Sequence, residues 1–245
     1  MERSSVYGAA LVVGALGMVV TMFFHPTAHD LLAAGGEAAA GGRAAAAATH
    51  ALALFSAPVI YFGLIGLSRG LGTERPLVTA ALVAYGFALA AVIPATVASG
   101  LVAPALTERM LAADPSDAAT RDALHRIFAY NGLVNQGFSK VYVVASSLAV
   151  LCWSLALFGR GRFARLVALA GCVVGGLSLA AFFAGRLRLD VHGFGLFVLA
   201  QAAWVVLAGA LVSRRGRDAG GVSYAGGDFP LNVRSGSRKT CVSSS

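Results

Sequence analysis

Residues 166–184 read LVALAGCVVGGLSLAAFFA, nineteen positions without one charged side chain. Arg160, Arg162 and Arg165 precede the run, and Arg186 and Arg188 follow it. As a helix rising about 1.5 Å per residue it extends roughly 28 Å, close to the ~30 Å of hydrocarbon in a bilayer. In that solvent each backbone N–H and C=O must be paired within the segment, which predicts a helix rather than a strand.

Five further runs share this character, at about residues 6–24, 50–67, 77–97, 141–158 and 192–212, the third with an apolar continuation toward Leu106. Composition agrees. The chain has 245 residues, 58% hydrophobic and 12% charged, against about 25% charged for a soluble domain. The expected fold is all-α: a polytopic transmembrane bundle of six spans over residues 1–215. A disordered tail, residues 216–245, rich in Gly, Ser and charge, should follow. The first run is longer than the roughly 7–15 apolar residues of a signal peptide, and no small-x-small pattern directly follows Phe24, so it reads as an uncleaved span.

Charge placement sets the expected orientation. With the N-terminus inside, the inner segments carry twelve basic and four acidic residues, and the outer segments seven of each. The whole net charge of +8 then lies on one side, the positive-inside pattern, with both termini cytoplasmic. Such residues anchor topology and meet anionic lipid, so the basic balance does not point to nucleic acid. The three cysteines form no CxxC pair and no disulfide framework.

The segments between spans differ in length. Tight turns at residues 68–76 and 159–162 predict two helical hairpins. Residues 25–49 are rich in Ala and Gly. Residues 104–138 contain Asp114-Pro115-Ser116-Asp117, a turn before a helix start, so residues 118–138 should form a helix lying on, or rising into, the outer surface, with a bend at Gly132 or Gly137. Gly171 and Gly175, four apart, suit close helix approach in a compact bundle or a homo-oligomer.

Three features bear on chemistry. All five histidines, His25, His29, His50, His125 and His192, fall at or beyond the outer ends of spans, with Asp30 and Asp190 beside members of the set. Imidazole and carboxylate are metal-ligand types, so a metal ion or bis-histidine haem fits this placement, as does the ordinary comfort of histidine at an interface. Secondly, Asn131, Asn135, Ser139, Tyr142 and Ser146 fall at three- or four-residue steps, with Gln136 and Lys140 one step round. Such a stripe lines a pocket or makes interhelical hydrogen bonds. Thirdly, none of the six apolar runs holds an Asp or Glu, which weakens a proton-coupled transport reading. Pro58 and Pro94 lie inside spans, as kinks around a site or as tolerated prolines.

The stretches Phe24-His25-Pro26-Thr27, Tyr130-Asn131-Gly132-Leu133-Val134-Asn135-Gln136 and Leu189-Asp190-Val191-His192-Gly193-Phe194-Gly195 resemble parts of a group of bacterial six-span membrane proteins that carry no assigned activity. That resemblance implies a bacterial inner-membrane location. A second resemblance, to rhomboid intramembrane proteases, rests on Gly137-Phe138-Ser139 and His192. It implies a serine nucleophile at Ser139 with His192 as base. Lys140 stands where that family has a small residue, and Leu54 where its His-x-x-x-Asn pattern, begun here by His50, has asparagine. The expectation is a membrane protein binding a metal, haem, lipid or partner at its outer face. The alternatives are an outer-face enzyme, metal-dependent or rhomboid-like, and a small-solute transporter.

Overall fold

A computed structural model of the chain describes residues 3–25 and 37–220. They form α1 (Arg3–Phe23), α2 (Glu37–Leu71), α3 (Pro76–Val97), a π-helical turn (Ala98–Val102), α4 (Ala103–Ala112), α5 (Ala118–Leu157), α6 (Arg162–Phe183) and α7 (Val191–Gly220). Six helical segments are long and apolar enough to cross a membrane: Ser4–Phe23, Ala44–Leu71, Pro76–Ala112, Ala118–Leu157, Arg162–Phe183 and His192–Arg214. Their outward faces carry exposed Val13, Leu16, Phe55, Phe87, Val173 and Leu177, side chains suited to lipid rather than water.

The helices pack as two sets of three. One set has α1 between α2 and α7, and the other has α5 between α3 and α6. The seams α2–α3 and α6–α7 close the ring. Trp153 and Trp204 are buried at its centre with rings stacked at 6.2 Å, and Tyr85 lies 5.8 Å from Trp153. A buried indole N–H needs a partner. Trp153 Nε1 donates to Ser68 Oγ at 2.8 Å, and Trp204 Nε1 to the Val167 carbonyl at 3.2 Å. Gly171 explains the closeness of α6 here: a methyl group at that position would overlap Ser154 Oγ and Trp204 Nε1. Gly175 likewise sits against Leu151 and the Ser147 carbonyl. The four-residue spacing of these glycines therefore serves packing within the chain.

At one end of the bundle arginines tie neighbouring helices. Arg69 Nη1 donates to Tyr7 Oη at 2.6 Å, Arg160 Nη2 to the Leu71 carbonyl at 2.9 Å, and the Arg214 guanidinium lies 4.2 Å over the Phe163 ring. The opposite end carries His25 and His50.

Several helices outrun their expected lengths. Span two, expected from about residue 50, is preceded by helix from Glu37, so much of the Ala-rich stretch is helical; alanine has the highest helix propensity. Span three continues to Ala112 through the π turn. Residues 118–138 do not form a separate surface helix: they are the first half of one uninterrupted helix with span four, and neither Gly132 nor Gly137 breaks it. At about 1.5 Å per residue, α5 is roughly 60 Å long, twice the hydrocarbon thickness. Its buried positions begin at Tyr142. With α4 it makes a hairpin at the histidine-bearing end, turning at residues 113–117. Asp117 caps α5, accepting from Thr120 N at 3.0 Å, and Asp114 accepts from Ser116 Oγ at 2.7 Å and Ser116 N at 2.8 Å. These hydrogen bonds hold both carboxyls below the ordinary carboxylate range. Pro58 and Pro94 both sit inside continuing helices. The last helix reaches Gly220, so residues 216–220 of the expected tail are helical; residues 221–245 lie outside the described residues.

Candidate functional site

The two halves of the bundle part at the histidine-bearing end around a cavity of about 120 Å³. Its walls come from α1, α2, α3 with the π turn, α5, and the segment leading into α7.

His50 is the most constrained polar side chain there, only 3% exposed. Its Nδ1 lies 2.7 Å from the Ala46 carbonyl. A carbonyl can only accept, so Nδ1 carries the proton. In the neutral ring Nε2 then holds a bare lone pair, and that atom is buried without a partner. The ring is seated by α3: a methyl group at Gly100 would overlap His50 Cβ and Cγ. Gly100 belongs to the π turn, a local irregularity common at functional sites. Asn131 Nδ2 donates to the Ala98 carbonyl at 2.9 Å, tying the same turn to α5. The His25 ring meets His50 edge-on, with centroids 4.7 Å apart and planes at 61°.

Three hydroxyls of the wall are already spent as donors. Thr21 Oγ1 donates to the Gly17 carbonyl at 2.9 Å, Thr96 Oγ1 to Val92 at 2.7 Å, and Ser99 Oγ to Ala95 at 3.0 Å. Each bond runs back four residues along its own helix. What these oxygens have left is acceptor lone pairs. Asp190 lies on the rim and accepts from Gly193 N at 2.8 Å, with Arg188 Nε at 3.0 Å. Chiefly the Gly193 N–H, with the charges of Arg188 and His192 beyond it, holds this carboxyl below the ordinary range, so it is ionised near neutrality. These lone pairs, the bare Nε2 and the carboxylate favour a ligand that brings donors or positive charge, while Asn135 and Ser139 add groups able to donate as well as accept. Met18, Met22, Ala53, Val92 and Phe194 make the rest apolar.

The expected site residues divide clearly. His25, His50 and Asp190 come to this cavity. His192 is exposed beside Asp190 and does not line it, and His125 is exposed on α5 beyond the bundle. His29 and Asp30 lie outside the described residues. Among the described residues no three His, Cys, Asp or Glu side chains gather as a metal-binding group.

Of the polar stripe, Asn135 and Ser139 line the cavity, while Asn131 serves the π turn. Tyr142 is buried beneath, edge-on to Phe197 at 5.9 Å. Ser146 is buried, its hydroxyl donating to the Tyr142 carbonyl at 2.7 Å. The stripe therefore does both expected jobs at different heights. Gln136 and Lys140 face a separate surface groove with Arg188. Ser139 and His192 are not joined by a hydrogen bond among the described residues.

Sequence reading passed over Met18, Met22, Thr21, Thr96 and Ser99. The signal for the first two was available: Met18, Met22 and His25 are spaced i, i+4, i+7, one face of a helix. Comparison with protein-family models, with curated proteins and with solved structures finds no match.

Proposed function

We propose that this chain is a multi-pass protein of the bacterial cell membrane that binds a small cationic or hydrogen-bond-donating ligand in the cavity at its outer end. Both termini are cytoplasmic in this reading, which rests on the concentration of arginine at the opposite end. The lipid bilayer is its constant partner. The observation that carries the binding function is the buried, unpartnered Nε2 of His50, in a wall to which Thr21, Thr96, Ser99 and Asp190 add acceptors. A buried polar atom without a partner is costly, and a ligand relieves that cost. The cavity, at about 120 Å³, is well under the roughly 300–1,000 Å³ of a drug-sized site. It favours an ion or a very small molecule over haem or a lipid headgroup.

The test is a thermal-unfolding panel on the purified protein in mild detergent. Metal ions, methylammonium and imidazolium salts are compared with acetate and phosphate. A bound ligand at about 100 times its Kd adds roughly 2.7 kcal/mol of stability. The expected result is a raised midpoint with at least one cation and none with the anions, lost in His50→Ala. No shift with any cation, or a shift that survives His50→Ala, overturns the proposal.

A further inference from the structure

We infer that the cavity is a site for a soft monovalent metal ion, Cu(I), held by His25, His50 and Met22 with Met18 below them. This deepens the proposed binding function and rests on it.

The inference starts from donor chemistry. Among the described residues two imidazoles reach the cavity, and no third His, Cys, Asp or Glu joins them as a ligand group. The Asp190 carboxylate is engaged with Gly193 N and Arg188. Zinc sites are usually completed to four by thiolate, imidazole or carboxylate, and the described residues do not supply that set. Two thioethers share the wall instead. Thioether sulfur is a soft ligand that selects Cu(I), and imidazole also suits copper.

Geometry supports the same set. On α1, positions 18 and 22 lie one turn apart on one helix face, and His25 follows two residues past the end of that helix, lining the same cavity. On α2, which runs antiparallel, His50 lies at the level of the end of α1: Thr49 Oγ1 is within 3.4 Å of the Phe24 carbonyl, and the His25 and His50 rings touch. His50 Nε2 is ready as a ligand because the Ala46 carbonyl fixes the proton on Nδ1, the arrangement that orients metal-binding imidazoles. Met22 lies less than one turn below His25, and Met18 one turn further. No redox step is implied; the site binds the reduced ion.

The experiment is an anaerobic titration of the full chain in mild detergent with Cu(I), supplied as its acetonitrile complex and competed by a chromophoric Cu(I) chelator. Ag(I) and Zn(II) are run beside it. The variants are His50→Ala and Met22→Leu, the latter keeping side-chain volume while removing sulfur. The expected result is one Cu(I) per chain, with Ag(I) competing. Each variant should weaken binding by more than about tenfold, since even outer-shell changes shift metal affinity by about 10–100-fold. X-ray absorption of the loaded protein should show both nitrogen and sulfur neighbours. Zn(II) binding in preference to Cu(I), or full Cu(I) affinity in a correctly folded Met22→Leu, overturns the copper assignment and leaves the cavity as a site for another cation. Binding of none of the three metals overturns it too, and the methylammonium and imidazolium arms of the unfolding panel then decide the broader reading separately.

Discussion

Replacing Gly100 by alanine tests the seat of His50. The added carbon would overlap His50 Cβ and Cγ and lie 2.7 Å from Cδ2. Carbon atoms in contact sit at about 3.5–4.0 Å, so the ring must retreat by more than about 1 Å. Because Cβ itself is overlapped, a rotamer change cannot relieve the clash, and α2 has to move from the π turn. Overpacking of this kind costs about 1–3 kcal/mol. In His50→Gly the obstructing atoms are gone. There, Gly100→Ala should gain roughly 0.5–1 kcal/mol, the ordinary benefit of alanine over glycine in a helix. The double-mutant cycle should therefore show a coupling of about 1.5–4 kcal/mol. The assay is reversible unfolding in mixed micelles of increasing SDS fraction, followed by tryptophan fluorescence from Trp153 and Trp204. The same Gly100→Ala protein should lose ligand binding, because metal–ligand distances tolerate only about 0.2 Å. A Gly100→Ala protein of unchanged stability, or an equal penalty in both backgrounds, would refute the seating of His50 against the π turn.

Three other outcomes are expected. Trp153→Phe should cost about 0.6–1.7 kcal/mol in the same assay, from the lost hydrogen bond to Ser68, whereas Trp153→Ala should cost about 3–5 kcal/mol from the cavity it leaves. Gly171→Val should destabilise by about 1–3 kcal/mol by forcing α6 away from Ser154 and Trp204, while size-exclusion with light scattering finds the association state unchanged. The Asp190 carboxyl is held below the ordinary range, so its contribution is complete above that range and is lost as pH falls through its lowered value. The difference in unfolding midpoint between the wild-type chain and Asp190→Asn, measured from pH 7 down to pH 3, should therefore stay level until below about pH 4. In Asp190→Asn, which keeps the acceptor for Gly193 N, the acid limb due to this group should vanish.

The membrane fold was legible because lipid imposes one rule on long apolar runs, and residues 166–184 satisfy it without ambiguity. The lengths of α2 and α5 were not. The helix at residues 118–138 is encoded by local propensity and the Asp117 cap, and an apolar-window reading stops where charges begin. The inward face of the α5 stripe was readable from three- and four-residue steps. Which of its members meet the cavity depended on the crossing of α3, fixed by the π turn that follows Pro94. The histidines at span ends were visible as a set, yet only helix packing could select His25 and His50 from His125 and His192. The methionines escaped notice because in an apolar run a thioether reads as one more hydrophobic side chain.

The most direct test of the central claim is cysteine accessibility in intact cells. In a background with Cys152, Cys172 and Cys241 replaced, Ser139→Cys on the cavity wall and Arg162→Cys at the opposite end are each treated with a membrane-impermeant maleimide. The account predicts that Cys at position 139 is labelled from outside, while Cys at position 162 reacts only after the cells are permeabilised. Labelling of position 162 in intact cells, or of position 139 only after permeabilisation, would contradict an outward-facing ligand cavity.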